Sequence, residues 1–260
     1  MDAPPTVIER AIRRDRAIVW GSLLVVLLPC WLWIGAMAID MYGRMDGASA
    51  WSMTFAWGWT ETLLLLAMWI AMMTGMMLPS VAPILLLYAR AVRSTASPRD
   101  AAVRVWTLGG GYLAVWTLFS AAATALQRLL AESGMLTVMM EPGSRRTAGV
   151  LLLAAGVYQL TPAKSRCLTA CRSTLGLLAA YWRPGVTGAL RIGVRHGLYC
   201  VGCCWALMLL LFAGGVMNLL VIAAITALVL LEKVSPVGPL IQRPVGALLA
   251  GVGLWQLGAA

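Results

Sequence analysis

Arg195-His196-Gly197-Leu198-Tyr199-Cys200-Val201-Gly202-Cys203-Cys204-Trp205-Ala206-Leu207-Met208 runs on through Leu209-Leu210-Leu211-Phe212-Ala213 with no charged residue after Arg195. From His196 to Gly214-Gly215 it is long and apolar enough for a membrane helix, which needs roughly 20 residues. On such a helix His196, Cys200, Cys204 and Met208 are spaced four apart and stack along one stripe, bordered by Cys203. The stretch holds the only histidine of the chain and three of its six cysteines. Imidazole, thiolate and thioether together favour soft or borderline metals such as Cu(I) and Zn(II).

The rest of the chain has the same character. Of 260 residues, 61% are hydrophobic and 12% charged, with a mean hydropathy of +0.84, and a soluble domain carries about twice that charge. The expected fold is all-α, a polytopic transmembrane helical bundle of six to seven spans forming a single domain over residues 1–260, with lipid in the place of water. A net charge of +10 would suggest nucleic acid in a soluble protein. Under the topology below, 16 of the 20 Lys and Arg fall on one side of the membrane, so the charge sets orientation and nucleic acid is not an expected partner.

Residues 1–16 carry Arg10, Arg13, Arg14 and Arg16 and are expected to be a cytoplasmic tail. The first span, about 17–39, is longer than a signal-peptide core and is read as retained. An external loop at 40–59 offers Trp51, Trp57 and Trp59 to the interface. The second span, about 60–88, is broken by Pro79 and Pro83, whose freed carbonyls need partners. The third, about 106–127, contains Gly109-Gly110-Gly111, which lets a neighbouring backbone approach closely. The fourth, about 147–162, ends at Thr161-Pro162. A cytoplasmic loop, 163–195, carries Cys167 and Cys171, an interfacial bend at Tyr181-Trp182-Arg183-Pro184 and an amphipathic approach helix at 186–194. The fifth span then begins near His196, the sixth ends at Glu232-Lys233, and the seventh covers about 244–259.

Cytoplasmic thiols stay reduced, so Cys167, Cys171, Cys200, Cys203 and Cys204 are not expected to form a disulfide framework. Three readings remain for them. Metal ligation accounts for the third adjacent thiol, for His196 and for the second pair. A Cys200-x-x-Cys203 redox pair is the alternative, favoured if a helix starts there and its N-terminus lowers the thiol pKa. Plain packing is the third, and it is the better reading for the isolated Cys30. In the second span Met68, Met72 and Met76 form one stripe, and Met73 and Met77 an adjacent one that Trp69 extends. Thioethers are soft, neutral Cu(I) ligands that sit in a bilayer without the cost of charge, though methionine is also an adaptable packing residue. Glu61 and Glu232, the latter next to Lys233, are expected to reach the solvated interface, with Glu232 on the side of the cysteines. No Walker A motif, ATP-binding domain or Ser-His-Asp set is present, and one histidine excludes a multi-haem protein.

Four blocks carry a resemblance. They are Met68-Trp69-Ile70-Ala71-Met72-Met73-Thr74-Gly75-Met76-Met77-Leu78-Pro79-Ser80, then Tyr158-Gln159-Leu160-Thr161-Pro162-Ala163-Lys164 with Cys167 and Cys171 after it, then His196 to Met208, and last Glu232-Lys233. Over about residues 60–240 the chain resembles the bacterial family of unknown function described as predicted metal-binding integral membrane proteins, sometimes labelled copper chaperone. Gly75 stands where that pattern has Ala. The resemblance implies a multi-pass protein of the bacterial inner membrane that handles a metal ion, copper(I) or alternatively zinc, with a metallochaperone or metalloenzyme as partner. The expected ligands are His196, Cys200, Cys203 and Cys204, with Cys167, Cys171, Met72, Met73, Met76, Met77 and Met208 in support. The rival functions are a membrane thiol–disulfide oxidoreductase and a structural membrane subunit.

Overall fold

The computed structural model describes residues 7–43, 58–137 and 141–259, so the expected interfacial tryptophans Trp51 and Trp57 lie outside the described residues. The chain is all-α. Helix α1 is Val7–Tyr42, α2 Trp59–Met77, followed by a 3-10 turn at Leu78–Val81, and α3 Ala82–Arg93. Then come α4 (Pro98–Glu132), α5 (Arg145–Leu160), α6 (Pro162–Arg172), α7 (Thr174–Tyr181), α8 (Gly185–Gly214), α9 (Leu219–Val234) and α10 (Gly238–Gly258). Among the described residues four segments are long and apolar enough to cross a membrane: Ala17–Met41, Trp59–Arg93, Pro98–Glu132 and Gly185–Gly214. α5 and α9, with 16 residues each, span only about 24 Å at 1.5 Å per residue.

Polarity is arranged inside out. Val25, Leu32, Ile39, Leu118 and Leu220 are exposed, while Gln127, Gln159, Lys164, His196, Glu232 and Gln242 are buried. That is the distribution a lipid solvent selects, since a polar group facing hydrocarbon must find its partners within the protein.

Local chemistry sets the breaks. Pro79 has no N–H for the carbonyl of Gly75, and the indole Nε1 of Trp31 donates to it at 3.3 Å. The Met77 carbonyl accepts from Ser80 Oγ at 2.8 Å and Tyr112 Oη at 2.9 Å. The expected partners for freed carbonyls are thus side chains of α1, α4 and the turn itself. At Thr161-Pro162 the Thr161 hydroxyl accepts from the Lys164 backbone N–H and starts α6, which puts Cys167 and Cys171 on one helical face. The bend before α8 is as expected: Trp182 packs on Tyr88 with ring centroids 5.5 Å apart, and Gly185 adopts φ +86°.

One expectation needs correction. No separate approach helix precedes His196, because α8 is continuous from Gly185 to Gly214. Cys200 therefore lies four turns inside a helix rather than at its start, and the helix-terminus argument for a low-pKa thiol pair does not apply. Glycines make the continuous helix useful. A Cβ on Gly111 would lie 2.8 Å from the Leu190 carbonyl, and one on Gly193 only 2.1 Å from the Leu108 carbonyl. α4 and α8 consequently touch backbone to backbone, which brings Tyr112 against His196 and Cys200.

Candidate functional site

The sulfur stripe of α8 points inward along its whole length. His196, Cys200, Cys203, Cys204 and Met208 are all essentially inaccessible. Opposite them the end of α2 delivers Met77, and the last turn of α9 delivers Lys233. The Lys233 Nζ lies 2.8 Å from Cys200 Sγ, 3.6 Å from Cys204 Sγ and 3.8 Å from Met77 Sδ. Cys204 Sγ and Met77 Sδ are themselves 4.0 Å apart. Three sulfurs from two helices thus surround one ammonium from a third.

Cys200 is the best-served of these sulfurs. Besides Lys233, Tyr112 Oη stands at 3.0 Å and Ser80 Oγ at 3.9 Å. The other two thiols of the helix turn back on it, Cys203 donating to the Cys200 carbonyl at 3.1 Å and Cys204 at 2.8 Å. From α6 the Cys171 thiol interacts with Cys200 and Cys203, and those contacts, ahead of burial, hold it well above the ordinary thiol pKa. Cys167, half-buried one turn earlier, lies against Gly202, where an added Cβ would come within 2.9 Å of its sulfur. All six cysteines are free thiols.

His196 differs from its neighbours. Its ring packs 5.6 Å from that of Tyr112, yet neither Nδ1 nor Nε2 has a hydrogen-bond partner among the described residues. A buried imidazole with both nitrogens unpaired is costly, and such a group beside thiols suits an added ligand. Among the described residues no three His, Cys, Asp or Glu side chains alone stand ready to hold a metal. The donors that do converge are mixed, two thiols and a thioether. Metal–sulfur bonds of about 2.3 Å put two sulfurs of a trigonal centre about 4 Å apart, the separation of Cys204 and Met77. The donor set therefore fits a soft, low-coordinate ion.

Of the residues expected from sequence, Met77, Cys200 and Cys204 meet around one point, with Cys171 and Cys203 adjoining. Met72, Met73 and Met76 are buried in the core, and Met208 lines an apolar cavity with Trp69, Phe119 and Phe212. Gly75 packs on α1, where an added Cβ would meet Cys30, Trp31 and Ile34 at an ordinary 3.5 Å, so the Ala of the family pattern would fit.

Sequence reasoning missed Lys233, Tyr112 and Ser80. It also placed Glu232 at the solvated interface, whereas Glu232 is 2% exposed and its neighbour Lys233 is buried as well. Glu232 accepts from Lys164 Nζ at 2.6 Å and from Gln159 Nε2, and Lys164 also donates to Gln159 Oε1. Arg172 donates to the Glu232 and Ser235 carbonyls, closing the end of α9. Consecutive helical residues point about 100° apart, so Glu232 enters this network while Lys233 enters the sulfur pocket. The Glu-Lys pair at the end of an apolar helix was the available signal, since charges inside a membrane protein must find partners.

These converging residues come from all four sequence blocks. No curated protein and no solved structure matches the chain. The family described as Copper chaperone (PpoB2) matches residues 66–256, which takes in α2 to α10 and every residue of the pocket, and the chain belongs to that family.

Proposed function

We propose that this protein binds copper(I) in the pocket of Cys200, Cys204 and Met77 and hands it on to a metallochaperone or metalloenzyme. The carrying observation is the convergence of three sulfurs on a single cation position, with Met77 Sδ and Cys204 Sγ 4.0 Å apart. The unpartnered His196 supplies a fourth, neutral donor beside them, while Cys203 adjoins the set as a thiol that donates to the Cys200 carbonyl at 3.1 Å. Cys167 and Cys171 serve as the landing pair, since Cys167 is half-buried on α6 and Cys171 already meets Cys200 and Cys203. Thiol-to-thiol exchange of Cu(I) suits such a ladder, because soft ligands replace one another without releasing the ion to water. Met72, Met73, Met76 and Met208 line a weaker route deeper in the bundle. The chain carries seven spans in a bacterial inner membrane, with a cytoplasmic N-terminus, and the pocket lies toward the cytoplasmic side. Zinc is the alternative ion.

The test is elemental analysis of detergent-purified protein prepared anaerobically, beside a Cys200→Ser/Cys204→Ser variant. One copper per chain in the parent and none in the variant is expected. Full metal content in the variant overturns the reading, and metal-free parent protein with reversible thiol oxidation would point to the oxidoreductase instead.

A further inference from the structure

Two buried lysines enter the bundle from opposite sides of one helix turn, and they have different counterions. Lys164 Nζ meets the Glu232 carboxylate at 2.6 Å, so that pair is neutral by itself. Among the described residues Lys233 meets no carboxylate, and its charge faces the sulfurs of Cys200, Cys204 and Met77. The other groups bordering the pocket are the thiols of Cys171 and Cys203, the Tyr112 hydroxyl and the His196 ring.

We infer that Lys233 is a specificity-determining residue that sets the charge of this pocket so that it takes a monovalent soft cation in preference to a divalent one. The inference rests on the proposed metal site. A bound metal displaces the thiol protons of Cys200 and Cys204, so the pocket supplies two negative charges. The third sulfur is a thioether and adds none. With the ammonium beside them, one positive charge from the metal makes the assembly neutral. A divalent ion in the same ligands leaves a net positive charge in a dry interior, where an uncompensated charge is expensive. In the metal-free protein the same ammonium fills the cation position.

The experiment uses the full chain in detergent under anaerobic conditions, with Ag(I) as the redox-stable monovalent probe and Cd(II) as the divalent one, competed at equal concentration. Wild-type protein is expected to take one Ag(I) per chain and little Cd(II). In Lys233→Met the occupancy ratio of Cd(II) to Ag(I) should rise by about tenfold or more, because the two thiolates are then neutralised by the divalent ion alone. Lys233→Arg, which keeps the charge, should retain the wild-type ratio. Should the methionine variant fail to fold, Lys233→Gln removes the same charge with a polar end and must show the same rise. An unchanged ratio in a folded neutral variant overturns the inference, as does wild-type protein that takes Cd(II) as readily as Ag(I). Wild-type protein that takes neither ion overturns the metal site itself, which separates that failure from this one.

Discussion

The two ends of the Glu232-Lys233 step lead into regions that are similar in burial and opposite in completeness. On the Lys164 side each polar atom is matched: Lys164, Glu232 and Gln159 bond one another, Gln242 donates to the Gln159 carbonyl at 2.7 Å and to Ser165 Oγ at 3.0 Å, and Arg172 closes the helix end. On the Lys233 side the partners are sulfurs, weak acceptors for an ammonium, and His196 has none. A saturated buried network holds elements in place, whereas one left short of partners at the same depth is arranged for something that arrives later. The difference separates a saturated cluster from one that keeps unpaired donors, and it is the second that the proposed function uses.

The comparison breaks most visibly at Lys164. Lys164→Met leaves the Glu232 carboxylate buried and unpaired, and should cost about 3–5 kcal/mol in chemical unfolding of the detergent-solubilised protein. The double variant Lys164→Met/Glu232→Leu should recover most of that loss. If the single variant is as stable as wild type, the network is not the scaffold.

A smaller effect is expected where α4 meets α8. Gly193→Ala places a methyl group against the Leu108 carbonyl, forces the helices apart and should cost about 1–3 kcal/mol. Because that contact seats Tyr112 against Cys200, metal occupancy should fall with it, while Lys164→Met/Glu232→Leu should leave occupancy near wild type. Equal occupancy in Gly193→Ala and wild type would separate the helix contact from the site.

His196→Leu should sharpen the contrast in the opposite direction. Removing two unpaired nitrogens should stabilise the metal-free protein by about 1 kcal/mol, while metal affinity weakens. Thermal unfolding with and without Ag(I) reads both quantities, and a loss of stability in the metal-free state would mean that the imidazole has a structural partner.

Much of this was legible before any coordinates. Periodicity alone placed His196, Cys200 and Cys204 on one face, and all three are buried. The prolines at 79 and 83 announced a break and a need for partners, and Thr161-Pro162 announced the end of a helix, which stops at Leu160. The expected amphipathic helix at 186–194 is instead the first part of α8, because no break separates it from His196. The guanidinium groups of Arg191 and Arg195 lie over the Tyr181 ring, at 5.9 and 5.2 Å, beside an uninterrupted helix. The methionine stripe was legible as buried, but nothing in its spacing distinguished Met77 from Met72, Met73 or Met76.

By itself, then, the sequence determined the apolar helices, their breaks and the side of each helix that carries sulfur, because these depend on residues within a few turns of one another. Only the tertiary structure decided which donors meet. Met77 and Cys204 are 127 residues apart, Lys164 and Glu232 68, and Cys200 and Lys233 33. A buried charge announces in sequence that it needs a partner, but which helix provides it depends on how glycine-lined faces such as Gly111 and Gly193 let backbones close on each other.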